Sequence, residues 1–122
     1  VLSRRKGVET KVGSIATWLD SKKAEHIIAL DVRGVCPLWD AMIVATAVSA
    51  RHAQALAEEV GGYFRQHGWP VLGIEGASFG QWVVVDGGDV VVHIFLEEVR
   101  QRYDLEGLYS RGRSMPVAGA SR

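Results

Sequence analysis

The sequence predicts an α/β sandwich, a mixed five-stranded sheet flanked by helices, with its elements in the order α-β-β-α-β-β-β-α. Three observations carry this. β-Branched runs alternate with stretches whose apolar residues recur every three to four positions. A strand, helix, strand succession in the middle of the chain requires a crossover packed on one face of the sheet. Two valine-rich runs meet at Gly87-Gly88, a strong local signal for a tight hairpin.

Taken in order, Val12, Ile15, Ala16 and Leu19 form an apolar stripe behind Thr10, a possible N-cap, and predict a first helix near residues 10–23. HIIALDV (26–32) and AMIVATAV (41–48) read as strands, separated by a connection containing Pro37. Ser49 then precedes a second helical stripe, Ala53, Leu56, Ala57, Val60 and Phe64, that stops at Gly68. Gly61-Gly62 costs this helix about 1 kcal/mol per glycine relative to alanine, so it should lean on packing or bend there. A short strand, VLGI (71–74), comes next, followed by the hairpin strands QWVVVD and DVVVHIF. The last helix is expected from Leu96 to Leu108. Residues 1–9 read as a flexible N-terminal segment, 10–109 as one domain, and 110–122 (SRGRSMPVAGASR) as a disordered basic tail.

Composition narrows the function classes. A chain of 122 residues supports a single core. Apolar residues at 48% and charged residues at 23% match globular averages, and no apolar run reaches the roughly 20 residues of a membrane span. The lone Cys36 precludes an internal disulfide framework and fits a reducing compartment. Val1 to Lys11 holds no apolar stretch of signal-peptide length, which points to the cytoplasm. The formal net charge of +0 hides a partition. Arg4, Arg5, Lys6, Lys11, Arg111, Arg113 and Arg122 lie before residue 12 or after residue 110, against Glu9 alone, leaving 7 basic and 13 acidic residues between, a net of −6. Such a body repels phosphate and suits a basic protein partner; only the tails could touch RNA.

With Gly87 and Gly88 as the loop, Asp86 should face Asp89, Val84 should face Val91, and Trp82 should face His93. Alternation then puts Val83, Val85, Val90, Val92 and Ile94 on one aliphatic face that must pack under helices. The other face holds Trp82, Val84, Asp86, Asp89, Val91 and His93, an aromatic anchor with aliphatic and polar neighbours, as a protein-binding patch requires. The same residues also allow an ordinary cross-strand Trp82–His93 pair beneath a helix. Facing carboxylates destabilise a sheet, so Asp86 and Asp89 should splay, bond glycine N–H groups or meet a cation.

The stretch EGASFGQWVVVDGGDVVVHIF (75–95), with Arg100, Tyr103 and LEGLY (105–109), strongly resembles the ribosomal silencing factor (Iojap-like) family, as do AEHIIALDV (24–32), WDAMIVAT (39–46) and SARHAQALA (49–57). The resemblance implies a fold related to the nucleotidyltransferases, usually a homodimer, without established catalysis or a cofactor. It further implies binding to the large ribosomal subunit through its ribosomal protein fourteen, which obstructs subunit joining and represses translation under nutrient limitation. The sheet face and nearby C-terminal elements, including Arg100 and Tyr103, become the expected docking surface.

The rival class is a nucleotide- or metal-dependent transferase, for which Asp31, Asp40, Asp86, Asp89 and His93 are candidate ligands and Ser49 opens a helix that could attract phosphate. No P-loop, HExxH or GxSxG pattern supports it. Cys36 as a nucleophile would need an adjacent base, and beside Pro37 it reads as inert. His26 begins a strand, and His52 and His67 flank a helix and read as solvated side chains.

Overall fold

The computed structural model describes residues 2–119, with side-chain surroundings from Gly7 onward. In chain order the elements are α1 (Leu2–Ser21), β1 (Glu25–Asp31), β2 (Ala41–Ala47), α2 (Ala50–Gln66), β3 (Gly73–Glu75), β4 (Trp82–Asp86), β5 (Val90–Leu96), α3 (Glu97–Tyr103), α4 (Leu105–Leu108) and β6 (Arg113–Met115). All strands join one mixed sheet in the order β3-β4-β5-β2-β1-β6, in which β2 and β5 run parallel and the remaining pairs are antiparallel.

The sheet therefore has six strands, not five. β6 comes from the segment read as a disordered tail and pairs with Ala29–Asp31 of β1. Nothing local in Arg113–Met115 predicts a strand; it forms because the edge of β1 offers unpaired backbone groups. At the other end α1 begins at Leu2, well ahead of Thr10, and includes the segment read as flexible. Lys11, counted with the basic N-terminal segment, is buried inside the fold. Arg122 and the side chains of Arg4, Arg5 and Lys6 lie outside the described residues.

α2 starts as its sequence indicates, with the Ser49 hydroxyl accepting the His52 backbone N–H at 3.0 Å. It runs unbroken through Gly61, which is buried against Ile74 of β3, so packing carries it past the glycines. The expected C-terminal helix instead splits at Asp104. This residue takes a left-handed backbone (φ 44°) that ends α3, and its carboxylate caps α4 by accepting the Gly107 N–H at 3.3 Å.

The hairpin faces are as the alternation requires, but the register is shifted by two residues. Asp86 pairs with Val91, Val84 with His93, and Trp82 with Phe95. The reason is non-local: the Asp89 carbonyl accepts N–H groups from Asp40 and Ala41, which ties Asp89 toward β2 and lengthens the turn to Gly87–Val90. An even shift leaves each residue of the paired strands on its predicted face, while Asp89, predicted opposite Asp86, falls in the turn and leaves that face for the helical side. Val83, Val85, Val90, Val92 and Ile94 are all fully buried in the larger core, under α1 (Val12, Ile15, Leu19) and α2 (Leu56, Val60, Phe64). A smaller core lies on the opposite face, where Val32, Cys36, Val99 and Leu105 pack on Met42, Val44, Val91 and Phe95.

Gly80 approaches the start of α2 so closely that a Cβ would sit 2.5 Å from the Ala50 carbonyl oxygen, and its φ is +69°. Gly34 has a comparable φ of +82° but nothing within 4 Å of the Cβ position. Gly34→Ala should cost about 1 kcal/mol from backbone strain alone, and Gly80→Ala at least about twice that, because backbone must move as well. Urea unfolding midpoints of the two variants check the ordering.

Candidate functional site

Because α1 and α2 saturate the aliphatic side of the hairpin, the second face is the one left less fully covered. Its cover is partial. α3, α4 and the loop of residues 32–40 shield the middle of the sheet, so Val91, His93 and Phe95 on β5 are buried, while Trp82, Val84 and Asp86 on β4 are only half-buried. The Trp82 indole stacks on Phe95 (centroids 4.8 Å apart, 27° between planes) and meets Tyr103 at 5.0 Å. Its Nε1–H donates to His93 Nδ1 at 3.1 Å. Asp86 accepts from Trp39 Nε1 at 3.1 Å and from the Gly88 N–H at 2.9 Å. In the elements that cover this face, Leu38 of the loop, Tyr103 of α3 and Leu108 of α4 are 68%, 53% and 74% exposed, and they supply its apolar rim.

The predicted site residues separate into two groups. Trp82, Val84, Asp86 and Tyr103 come together at the surface, with His93 directly beneath. Three others lie elsewhere. Asp89 turns toward the helices and pairs with the Lys11 ammonium at 2.7 Å, which itself sits 4.9 Å from the Trp69 ring centroid. Val91 is fully buried in the smaller core. Arg100 is 7% exposed and pins α3 to the sheet, donating to the His26 carbonyl (2.8 Å), the Thr46 hydroxyl (2.8 Å) and Glu106 (3.1 Å). His26 can offer that carbonyl because it sits at an irregularity in β1 with φ 48°. The anticipated Asp86–Asp89 repulsion is thereby resolved: one carboxylate takes an indole and a glycine N–H, the other a buried lysine. Two residues of the face escaped sequence reasoning. Phe95 shares the parity of Val91 and His93 and could have been found by extending the alternation one step. Trp39 sits in a loop, where periodicity gives no face, although it opens the WDAMIVAT motif.

The groups considered for catalysis are committed to structure. Asp31 takes two bonds from the Arg33 guanidinium, at 3.0 and 2.6 Å, and Ser49 is the α2 cap. Among the described residues no three His, Cys, Asp or Glu side chains are placed to hold a metal ion. A cavity of about 500 Å³ does open at the C-terminal ends of the parallel strands β2 and β5, the usual ligand position in α/β sheets. Its charged lining is Glu25, Glu97, Glu98 and Arg102, a net negative set unsuited to phosphate.

The family model described as "Ribosomal silencing factor during starvation" matches residues 5–121. A Chromobacterium violaceum protein named ribosomal silencing factor RsfS is 40% identical over 104 residues, covering 85% of each chain. A crystal structure of a protein from the same organism superposes with a TM-score of 0.78 at 40% identity, covering 83% of this chain and 85% of that one. A mouse protein named "mitochondrial assembly of ribosomal large subunit protein 1" is 25% identical over 107 residues, 85% of this chain and 47% of its own length.

Burial holds the His93 imidazole neutral, lowering its pKa from 6.5 to about 4. Between these values the unfolded chain binds a proton that the folded one does not, so stability present above pH 6.5 is lost as pH falls toward 4. The loss assignable to His93 is roughly 3 kcal/mol. Urea midpoints measured from pH 7 down to pH 4 should fall more steeply for the wild type than for His93→Leu.

Proposed function

Since this chain belongs to the ribosomal silencing factor family of non-enzymatic ribosome regulators, we propose that it docks on the large ribosomal subunit through that subunit's ribosomal protein fourteen, obstructs joining of the small subunit and lowers translation when nutrients are scarce. The observation that carries the docking surface is the half-covered sheet face. Trp82 and Tyr103 form a paired aromatic anchor there, with Val84 and Asp86 beside them and an apolar rim around. Aromatic anchors backed by a rigid sheet are the form that binding hot spots take. The body's net charge of −6 between residues 12 and 110 favours a basic protein over ribosomal RNA as the first contact. No helix among the described residues is long and apolar enough to cross a bilayer. Contact of the basic tails with ribosomal RNA would be secondary.

Trp82→Ala should weaken large-subunit binding by about 2 kcal/mol or more. Its stack on Phe95 and its bond to His93 mean that it also costs the fold something, so Tyr103→Ala, at 53% exposure, is the cleaner variant. Co-sedimentation with isolated large and small subunits, followed by a subunit-joining assay, should show wild-type protein with the large subunit only. Both variants should be impaired in blocking joining. Val83→Asp serves as the unfolding control, because it puts an unpaired charge into the fully buried core.

The same family reading makes the free protein a homodimer, which would cover apolar surface otherwise left open to water. Light scattering of the protein alone at micromolar concentrations should give about twice the 13.3 kDa chain mass, and a monomer mass would refute the dimer.

A further inference from the structure

We propose that His93 determines specificity on the docking face, its Nε2–H being completed by a backbone carbonyl oxygen of the docked partner. This rests on the docking surface proposed above. His93 Nδ1 accepts the Trp82 indole N–H, which places the neutral imidazole's own proton on Nε2. Nε2 is at the end of the ring farthest from the β5 backbone. The residue is 6% exposed, and Nε2 is buried with no hydrogen-bond partner among the described residues. A buried donor without an acceptor is a standing cost to the fold. The neighbouring positions on the same strand face, Val91 and Phe95, carry apolar side chains that avoid it.

The side chain bonded to His93 reaches the surface that a partner would press. The ring bonded to His93 is Trp82, itself half-buried, and Trp82 is backed by Tyr103, which is 53% exposed. Re-seating these two side chains is the kind of rotamer change that interfaces ordinarily make on binding. The acceptor is a neutral carbonyl and not a carboxylate, because the Asp86 carboxylate lies on the same face of β4 and would repel a second negative charge brought alongside. A partner presenting a carbonyl satisfies the donor, whereas one presenting only apolar surface leaves it stranded, so the group discriminates between partners.

The test compares His93→Asn with His93→Gln. Asn keeps an oxygen near Nδ1 for the Trp82 N–H but has no donor at the Nε2 position; Gln carries its amide N–H out to that position. Both are polar, and thermal melting checks that both fold, since Gln gives up the acceptor for the Trp82 N–H that Asn keeps. In co-sedimentation with purified bacterial large subunits, His93→Asn should bind about tenfold or more weakly, and His93→Gln within about threefold of the wild type. His93→Leu should melt no lower than the wild type near pH 7 and bind as weakly as His93→Asn. Trp82→Ala in the same assay separates the two ideas. If it binds weakly while Asn and Gln variants bind equally well, the His93 inference is overturned and the docking face stands. If Trp82→Ala and all His93 variants bind like the wild type, the docking face is overturned, and His93 with it.

Discussion

Val83, Val85, Val92 and Ile94 are all fully buried against α1 and α2, and because a strand presents alternate residues to opposite faces, this one burial fixes where Trp82, Val84, Asp86, His93 and Phe95 point. A slip of one residue would expose four aliphatic side chains and bury the polar ones, at a cost no local interaction could offset. The hairpin can shift by two and did, but not by one. The open part of the second face is thus a consequence of how completely the helices occupy the other side.

Two buried cations then decide the details. Arg100 holds α3 against the sheet through a carbonyl, a hydroxyl and a carboxylate, so the short helix that carries Tyr103 has a fixed place beside Trp82. Lys11 draws Asp89 to the helical side and away from Asp86. Such buried pairs add little net stability, because desolvation offsets most of the attraction, but removing one partner strands a charge. Their contribution here is geometric: they separate the carboxylates and seat the aromatic pair.

The same features explain why the fold supports a binding function more readily than a catalytic one. Its carboxylates are spent on caps, ion pairs and indole N–H groups. The cavity at the ends of β2 and β5, where many α/β enzymes hold their ligands, has a charged lining of three glutamates and one arginine. The half-buried Trp82 and the exposed Tyr103 meet instead on the sheet face, beside a buried imidazole. A family of ribosome-binding regulators is consistent with that distribution of chemistry.

Alternation along the hairpin, the apolar stripes of α1 and α2, the Ser49 cap and the family motifs are local or linear features, and the sequence alone determined them. From these came the mixed α/β class, the aliphatic and mixed faces, and the ribosomal silencing factor assignment. The register of the hairpin was decided only in three dimensions, since it depends on the Asp89 carbonyl bonding Asp40 and Ala41, residues nearly half the chain away. β6 likewise required the free edge of β1, and the helical start of α1 is carried by a chain segment with no apolar stripe of its own. Burial of Arg100 and Val91 and the turn of Asp89 toward Lys11 could not be read from residue type, because a side chain's exposure is set by whatever packs above it. Periodicity reports which side of an element a residue occupies; only tertiary contacts report how much of that side is covered.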